Sequence, residues 1–442
     1  MSSKRTTVLQ KKEINSIHQK LDEIPFNKLA LASGFKKRRH RKITGKALLE
    51  AFILMALQGN NSLQLWAEKM SGYTGKNVTK QGIWKRLTGC FVRFLSSVLS
   101  NMLHLQVSQI HRQAIQQGWG KSYKRILIHD STTIALPAWL RWCYPGNTSK
   151  GEKKSQLKIQ AIYDLLNNRF VHFEITPFTV NDQSKSKDIL QIAGKEDMVI
   201  RDLGYFSLDC FVRMGDQQIH FISRLRYGIK ITDAPTGKAT NLLKILRKQK
   251  RFDRGVWIGE KQQLYTRLIA LPLPEEQADR RRYKAKHDRD KRMNHSKEYY
   301  EQLGYSLFIT TENDQQFSAV QIAKAYGLRW RIESIFKCWK SQFHLQRLMP
   351  QHVPLTRERA EAIIYMMLIF ILLFQVTVYN YLILRAGKTC IISLTKLSRY
   401  IADNIHLFFE KNLSDLEPFL LRYCVYEKRN DRLNFVQKLK LS

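Results

Sequence analysis

Tyr326-Gly-Leu-Arg-Trp-Arg-Ile-Glu-Ser-Ile-Phe-Lys-Cys-Trp-Lys340 is the stretch from which the rest of the chain can be read. Taken as one helix, it puts Tyr326, Arg329, Glu333 and Lys340 at offsets 0, 3, 7 and 14. At about 100° per residue these positions fall within roughly 60° of one another, so a phenol, two cations and one carboxylate share a stripe. The phenol and the cations suit a nucleic-acid backbone. The carboxylate belongs among them if Glu333 holds a metal ion while Tyr326, Arg329 and Lys340 hold phosphates against it. A plainer reading is a solvated helix. Glu333 has Arg329 four residues before it and Lys337 four after it, ordinary ion-pair spacing, with Ile332, Ile335, Phe336 and Trp339 as the buried face. The two readings separate on whether further carboxylates stand where a metal site needs them.

The 442 residues carry 74 Lys and Arg against 37 Asp and Glu, a formal net charge of +37. The excess runs along the whole chain, through Lys36 to Lys42, Lys244 to Arg254, Arg280 to Arg292 and Lys428 to Lys440. Such a field attracts a polyanion, and each phosphate neutralised makes binding more salt-dependent. Nucleic acid is the leading partner and anionic lipid the alternative. At 44% hydrophobic, the chain is too apolar for a disordered basic tail. Cys90, Cys143, Cys210, Cys338, Cys390 and Cys424 form no CxxC pair, which argues against a zinc finger and a disulfide framework and for reduced thiols in a cytosolic protein. Met1 to Gln10 lacks the apolar run of a signal peptide. Ala362 to Leu384 is uncharged and close to a bilayer span in length, but Gln375, Thr377 and Asn380 interrupt it. It is predicted to be a buried core helix in two pieces, with no membrane partner.

Residues 1–115 read as a helical DNA-binding region. Ser62 to Met70 and Thr79 to Leu87 flank a Gly-containing turn, and the second carries Lys80, Gln81, Lys85 and Arg86. Two helices around a turn suggest a helix-turn-helix-like reader, with general DNA or end binding as the alternative. From 116 to 224 the pattern becomes strands: Arg125 to Asp130, Lys158 to Tyr163 and Arg169 to Ile175, the last two joined through Asn167-Asn168. A helix near Ser186 to Ala193 leads to the strand Asp197 to Asp202, then a helix near Leu208 to Met214 and the strand Ile219 to Ser223. Residues 225–304 break the pattern with Pro, Gly and short strands, and read as a β-rich insertion. Residues 305–390 return to the sheet and carry the opening helix, predicted from about Ser318 to Phe343. Residues 391–442 form a basic helical tail. The fold class is α/β.

Asp130 and Asp202 each end an apolar strand ahead of a turn, where α/β sheets place their chemistry. Alone, each is equally a turn-former or a helix cap. Two Asp on neighbouring strands and a Glu from a packing helix make an all-oxygen site suited to Mg²⁺ or Mn²⁺, where two ions would activate water or a 3′-hydroxyl for phosphodiester attack. Asp164 and Asp182 lie in turn-rich contexts, Asp209 opens a helix, and alternation turns His129 away from Asp130. No Gly-rich phosphate loop with Lys-Ser/Thr occurs.

With these residues in view, the chain resembles the DDE transposases of bacterial insertion sequences, in the group marked by Tyr-x2-Arg-x3-Glu-x6-Lys. Tyr326, Arg329, Glu333 and Lys340 match that motif at every spacing, Asp130 in His-Asp-Ser-Thr-Thr matches its first aspartate, and Asp202 in Arg-Asp-Leu-Gly-Tyr-Phe its second. The likeness spans roughly residues 120–375. It implies a ribonuclease-H-like catalytic core interrupted by the β-rich insertion, with Asp130, Asp202 and Glu333 as catalytic metal ligands. It also implies Tyr326, Arg329 and Lys340 as DNA contacts. Some members stack a flipped base on a Trp of the insertion, for which Trp257 is the candidate; a hairpin packing role is its alternative. The implied activity is Mg²⁺-dependent cleavage at transposon ends and strand transfer into target DNA, by a homodimer on double-stranded DNA, in the bacterial cytoplasm at the nucleoid. The alternative is a catalytically inactive, transposase-derived DNA-binding protein, which need not keep three carboxylates in a phosphate-binding cleft.

Overall fold

In the computed structural model, residues 16–37, 43–105, 122–149, 151–260, 263–287, 295–349, 356–387 and 390–427 are described. The basic runs at 38–42, 288–292 and 428–440 and the 115/116 boundary lie outside them. Ten strands form one mixed sheet: β1 (Ile126–Leu136), β2 (Pro145–Ser149), β3 (Glu152–Asp164), β4 (Arg169–Pro177), β5 (Met198–Arg201), β6 (His220–Arg224), β7 (Ile231–Asp233), β8 (Phe252–Ile258), β9 (Leu264–Pro272) and β10 (Tyr305–Thr310). Their order is β2-β3-β1-β5-β6-β10-β9-β8-β7, with β4 also on β3. β3 runs antiparallel to β1 and β4, β1 and β5 are parallel, as are β5 and β6, and β10, β9, β8 and β7 continue antiparallel. The strands of 225–304 therefore extend the core sheet through the β9–β10 pairing.

β1 is longer than its sequence reading. It does not end at Asp130 but continues to Leu136, because Ser131-Thr-Thr-Ile-Ala-Leu136 is largely β-branched and alternates. Thr132, Ile134 and Leu136 are buried while the strand stays paired to β3 as far as Ser155. Ile126, Ile128 and Ile134 join one apolar cluster with the helices, and Leu127 joins the cluster on the other face.

Helices cover both faces. The N-terminal region holds α1 (Ile17–Asp22), α2 (Phe26–Ala32), α3 (Gly45–Ala56), α4 (Leu63–Thr74), α5 (Lys80–Trp84) and α6 (Gly89–Leu105). α4 ends on Gly75 at φ +64°, and Thr79 caps α5 by accepting from the Gly82 amide. The pair stands where the sequence places it, but α5 is only five residues long. Then follow α7 (Leu208–Asp216), α8 (Leu242–Gln249), α9 (Glu275–Lys286), α10 (Lys297–Gln302), α11 (Ala319–Gly327), α12 (Trp330–Ser341) and α13 (Arg357–Leu373). The expected helix at 186–193 is instead a 3₁₀ segment, Asp182–Gln191, opened by an Asn181 cap.

α13 runs through a π-helical turn, Phe374–Tyr379, into α14 (Asn380–Ala386). This is the apolar stretch, now a helix from Arg357 to Ala386 that is long and apolar enough to cross a membrane by composition. Its most apolar window is 89% buried inside the protein, packed against α6 and α3, so the fold itself covers that surface.

Candidate active site

The stripe of the opening segment does not lie on one continuous helix. α11 ends at Gly327 and α12 begins at Trp330, with Leu328 and Arg329 in a tighter turn. The amides of Leu328 and Arg329 bond three residues back, to Ala325 and Tyr326, and those of Arg331 and Ile332 to Leu328 and Arg329. Such i→i+3 bonds wind the chain more tightly and rotate Tyr326 away from the position an ideal α-helix gives it. Tyr326 is 8% exposed, its ring against Phe308 and its hydroxyl 3.4 Å from Asp202 Oδ1. Burial first, then the charge of Asp202, pushes its hydroxyl up to about 12.

The sheet register brings the two aspartates together. His129 is level with Arg201 across the parallel β1–β5 pair, so Asp130 and Asp202 follow on adjacent strands where β5 stops. Asp202 opens a 3₁₀ turn, Leu203–Tyr205, without capping it, so its carboxylate is not spent on local structure. α12 packs on β1 and brings Glu333 from the helical side. The Arg329 guanidinium stands among all three: Nη1 is 3.2 Å from Asp130 Oδ2, Nη2 is 2.7 Å from Glu333 Oε1, and Nη2 is 3.8 Å from Asp202 Oδ1. The Arg329–Glu333 half of the solvated-helix pairing is thus realised, but as part of a half-buried four-group cluster around a buried guanidinium. Lys337 stays exposed.

Burial is the largest influence on Asp130 and raises its carboxyl to about 7. Arg329 and the Ser131 amide pull it down, while Asp202 and Glu333 push it up. Burial works against the Arg329 charge, yet Asp202, Tyr326, Asp130 and Glu333 together hold its guanidinium above the usual range. One guanidinium against three carboxylates leaves two net negative charges when all three are ionised. The donor set is all oxygen and suits a hard divalent cation. With Arg329 between them the carboxylates are spread around a guanidinium, and no group of three or more His, Cys, Asp or Glu among the described residues is gathered closely enough to hold an ion.

The other expected site residues lie further out. Lys340 is half-buried on the last turn of α12, about 10 Å along the axis from Glu333. Desolvation lowers its ammonium, and it has no ion-pair partner among the described residues. Trp257 lies on β8, four strands from β5 and so about 19 Å across the sheet. It is 38% exposed and its ring packs against Tyr265 at 5.3 Å. His129 points away from Asp130, as alternation predicts. It is buried against Tyr205 with Arg201 at 3.3 Å, and desolvation holds its imidazole well below the usual range. Asp164 is buried and bonded to Asn167, and Asp209 pairs with Lys187 and Arg213.

Asp182 is the group that sequence reasoning set aside and the structure brings close. It receives Lys158, Gln160 and Ser131 directly behind the strand of Asp130. Lys158 and Gln160, a cation and an amide two residues apart on one face of β3 and alternating with the apolar Leu157, Ile159 and Ala161, were the signal that could have found it. Trp330 also stands out: it is 56% exposed, directly after Arg329, with the guanidinium 5.5 Å from its ring.

The model of the transposase DDE domain family matches residues 121–373. The chain is 29% identical over 437 residues to the transposase of insertion sequence element IS231D from Bacillus thuringiensis subsp. finitimus, covering 92% of this chain and 88% of that one. It is 25% identical to the transposase of IS1151 from Clostridium perfringens, over 83% and 80% of the two chains. Among solved structures it superposes on the piggyBac transposase synaptic complex with hairpin DNA at a TM-score of 0.42 and 8% identity, covering 91% of this chain and 78% of that one.

Proposed function

This chain belongs to the transposase DDE domain family and is a transposase, and from that premise we propose how its residues serve cleavage and strand transfer. Asp130, Asp202 and Glu333 are the catalytic carboxylates and the ligands of Mg²⁺ or Mn²⁺, held as two ions. The observation that carries this reading is their convergence on Arg329 from two adjacent strands and one helix. Three carboxylates around one buried guanidinium are a poor stability device, since an apolar cluster of equal volume serves a core as well or better. They make sense as a set kept for another cation.

On binding DNA, Arg329 exchanges its carboxylate partners for a backbone phosphate, and Lys340, partly desolvated and without an ion-pair partner among the described residues, takes another. Tyr326 keeps Asp202 oriented and turns its exposed edge to the same strand. The ions, when bound, supply the Lewis acid that activates water or a 3′-hydroxyl and stabilises the leaving oxygen. The site stays open on the side of Asp202, whose side chain is 40% exposed, where an incoming DNA strand meets the carboxylates.

The order β4-β3-β1-β5-β6, antiparallel then parallel, supports a ribonuclease-H-like core over 116–224 and 305–390. Residues 225–304 are its β-rich insertion, 1–115 the DNA-binding region and 391–442 the tail. The exposed Lys80 and Gln81 of the short α5, with Lys85 directly after it, face DNA. Trp257 stacks a base unpaired at the transposon end, and two subunits join two ends on double-stranded DNA.

The test is purified protein with its own element's end DNA, with and without Mg²⁺. Metal-dependent nicking that disappears in Asp130→Ala, Asp202→Ala and Glu333→Ala is expected. Nicking that survives those substitutions defeats the assignment.

A further inference from the structure

We propose that Asp182 is a positioning residue for the aspartate pair, tying the strand that carries Asp130 to the turn that follows Asp202 from the far face of the sheet. Its Oδ1 accepts from Lys158 Nζ at 2.9 Å, from Gln160 Nε2 at 2.9 Å and from Ser131 Oγ at 3.3 Å. Two of these donors lead to the site by separate routes. Ser131 gives its backbone amide to Asp130 Oδ1 at 2.8 Å, so the hydroxyl that Asp182 fixes belongs to the residue that orients Asp130. Gln160, level with Ser131 on the neighbouring strand, accepts from the Tyr205 hydroxyl, and Tyr205 closes the turn that Asp202 opens. That turn is held a second time by the Asp182 segment, where Ser186 Oγ donates to the Tyr205 carbonyl at 2.8 Å. Gly204 stands between the two carboxylates: a Cβ there would lie 3.5 Å from Asp182 Oδ2 and 4.0 Å from Asp202 Oδ2.

The competing account is that Asp182 merely neutralises Lys158, whose side chain is 8% exposed. Neutralisation needs one contact. It does not require Gln160 and Ser131 to converge on the same oxygen, and a buried Lys–Asp pair taken alone adds little to stability over an apolar pair. What the three-donor arrangement adds is fixed geometry. Without it the Ser131 hydroxyl and the Gln160 amide turn to other partners, and Asp130 and the Asp202 turn lose their common support. Groups behind a metal ligand act on affinity for the ion, by about 10- to 100-fold in well-studied sites.

The inference rests on Asp130, Asp202 and Glu333 holding the ion, and its test separates the two claims. Mn²⁺ binding to the full-length protein is measured without DNA, by the loss of the free-Mn²⁺ paramagnetic signal. Asp130→Ala is the reference and is expected to abolish binding; if it does not, the reading of the three carboxylates fails. Asp182→Asn is expected to weaken Mn²⁺ binding by about 10-fold, and Ser131→Ala by about 3-fold in the same direction. Metal-free binding of end DNA should stay within about two-fold of the parent in both. If Asp130→Ala loses Mn²⁺ while folded Asp182→Asn and Ser131→Ala bind it like the parent, Asp182 is only the counter-ion of Lys158. Should Asp182→Asn fail to fold, Ser131→Ala decides alone, and unchanged Mn²⁺ affinity overturns the proposal.

Discussion

Asp130 shows at the scale of one residue what the cluster costs the fold. Its carboxyl titrates at about 7 in the folded protein, against 3.8 for an unperturbed aspartate, chiefly through burial and then through Asp202 and Glu333. Between those values the unfolded chain gives up its proton first, so folded stability falls as pH rises from about 4 to about 7 and stays lower above. Without metal, Asp130→Asn is therefore predicted to stabilise by about 1–3 kcal/mol at pH 8 and by almost nothing at pH 4. Urea denaturation in a chelator at the two pH values measures this, and an equal gain at both would show that charge is not the cause. Arg329→Ala works in the opposite direction. It leaves three carboxylates without their cation and is predicted to cost about 2–4 kcal/mol at pH 8 under the same conditions. Combining it with Asp130→Asn should recover part of that loss, because the two groups touch and their effects do not add.

At the scale of elements, the break between α11 and α12 matters more than either helix. An unbroken helix would have spread Tyr326, Arg329 and Glu333 along one side. The 3₁₀ turn at Leu328–Arg329 lets Tyr326 reach Asp202 while Arg329 reaches Asp130 and Glu333. The N-terminal helices depend on packing of a different kind. Gly45 starts α3 directly over the buried ring of Phe94, where a Cβ would sit 2.5 Å from two ring carbons. Phe94 is 0% exposed and held by Phe35 and Phe91, so the ring has no room to yield. Gly45→Ala should destabilise by about 1–3 kcal/mol. Gly72, inside α4, meets nothing within 4 Å, and Gly72→Ala should stabilise by about 0.5–1 kcal/mol. Chemical denaturation of the two variants should move in opposite directions.

At the scale of the molecule, one ten-stranded sheet and a net charge of +37 set the terms. The strands of 225–304 pair with β10, so Trp257 and the aspartates stand on one continuous sheet. The charge makes DNA binding salt-dependent throughout. Lys340→Ala is predicted to weaken end binding similarly for all sequences and to reduce the slope of log K against log salt by about one. Fluorescence anisotropy over a salt series reads the slope, and an unchanged slope would remove Lys340 from the phosphate contacts.

The three carboxylates, the order strand, strand, helix, and the buried apolar helix were all legible in the chain, because periodicity and strand-end placement depend on residues near one another in sequence. The family followed from the same residues. The length of β1, the tight turn before α12 and the ring of contacts around Arg329 were not legible, since each depends on a partner far away in sequence. β3 prolongs β1, Asp202 draws Tyr326 over, and three separate elements converge on one guanidinium. Asp182 is the clearest instance. In sequence it is an aspartate after a turn, and only folding puts Lys158, Gln160 and Ser131 around it. Sequence alone determined which charged and aromatic groups the protein carries and how they are spaced along the chain. The tertiary structure decided which of them meet, because a buried charge is set by its neighbours in space.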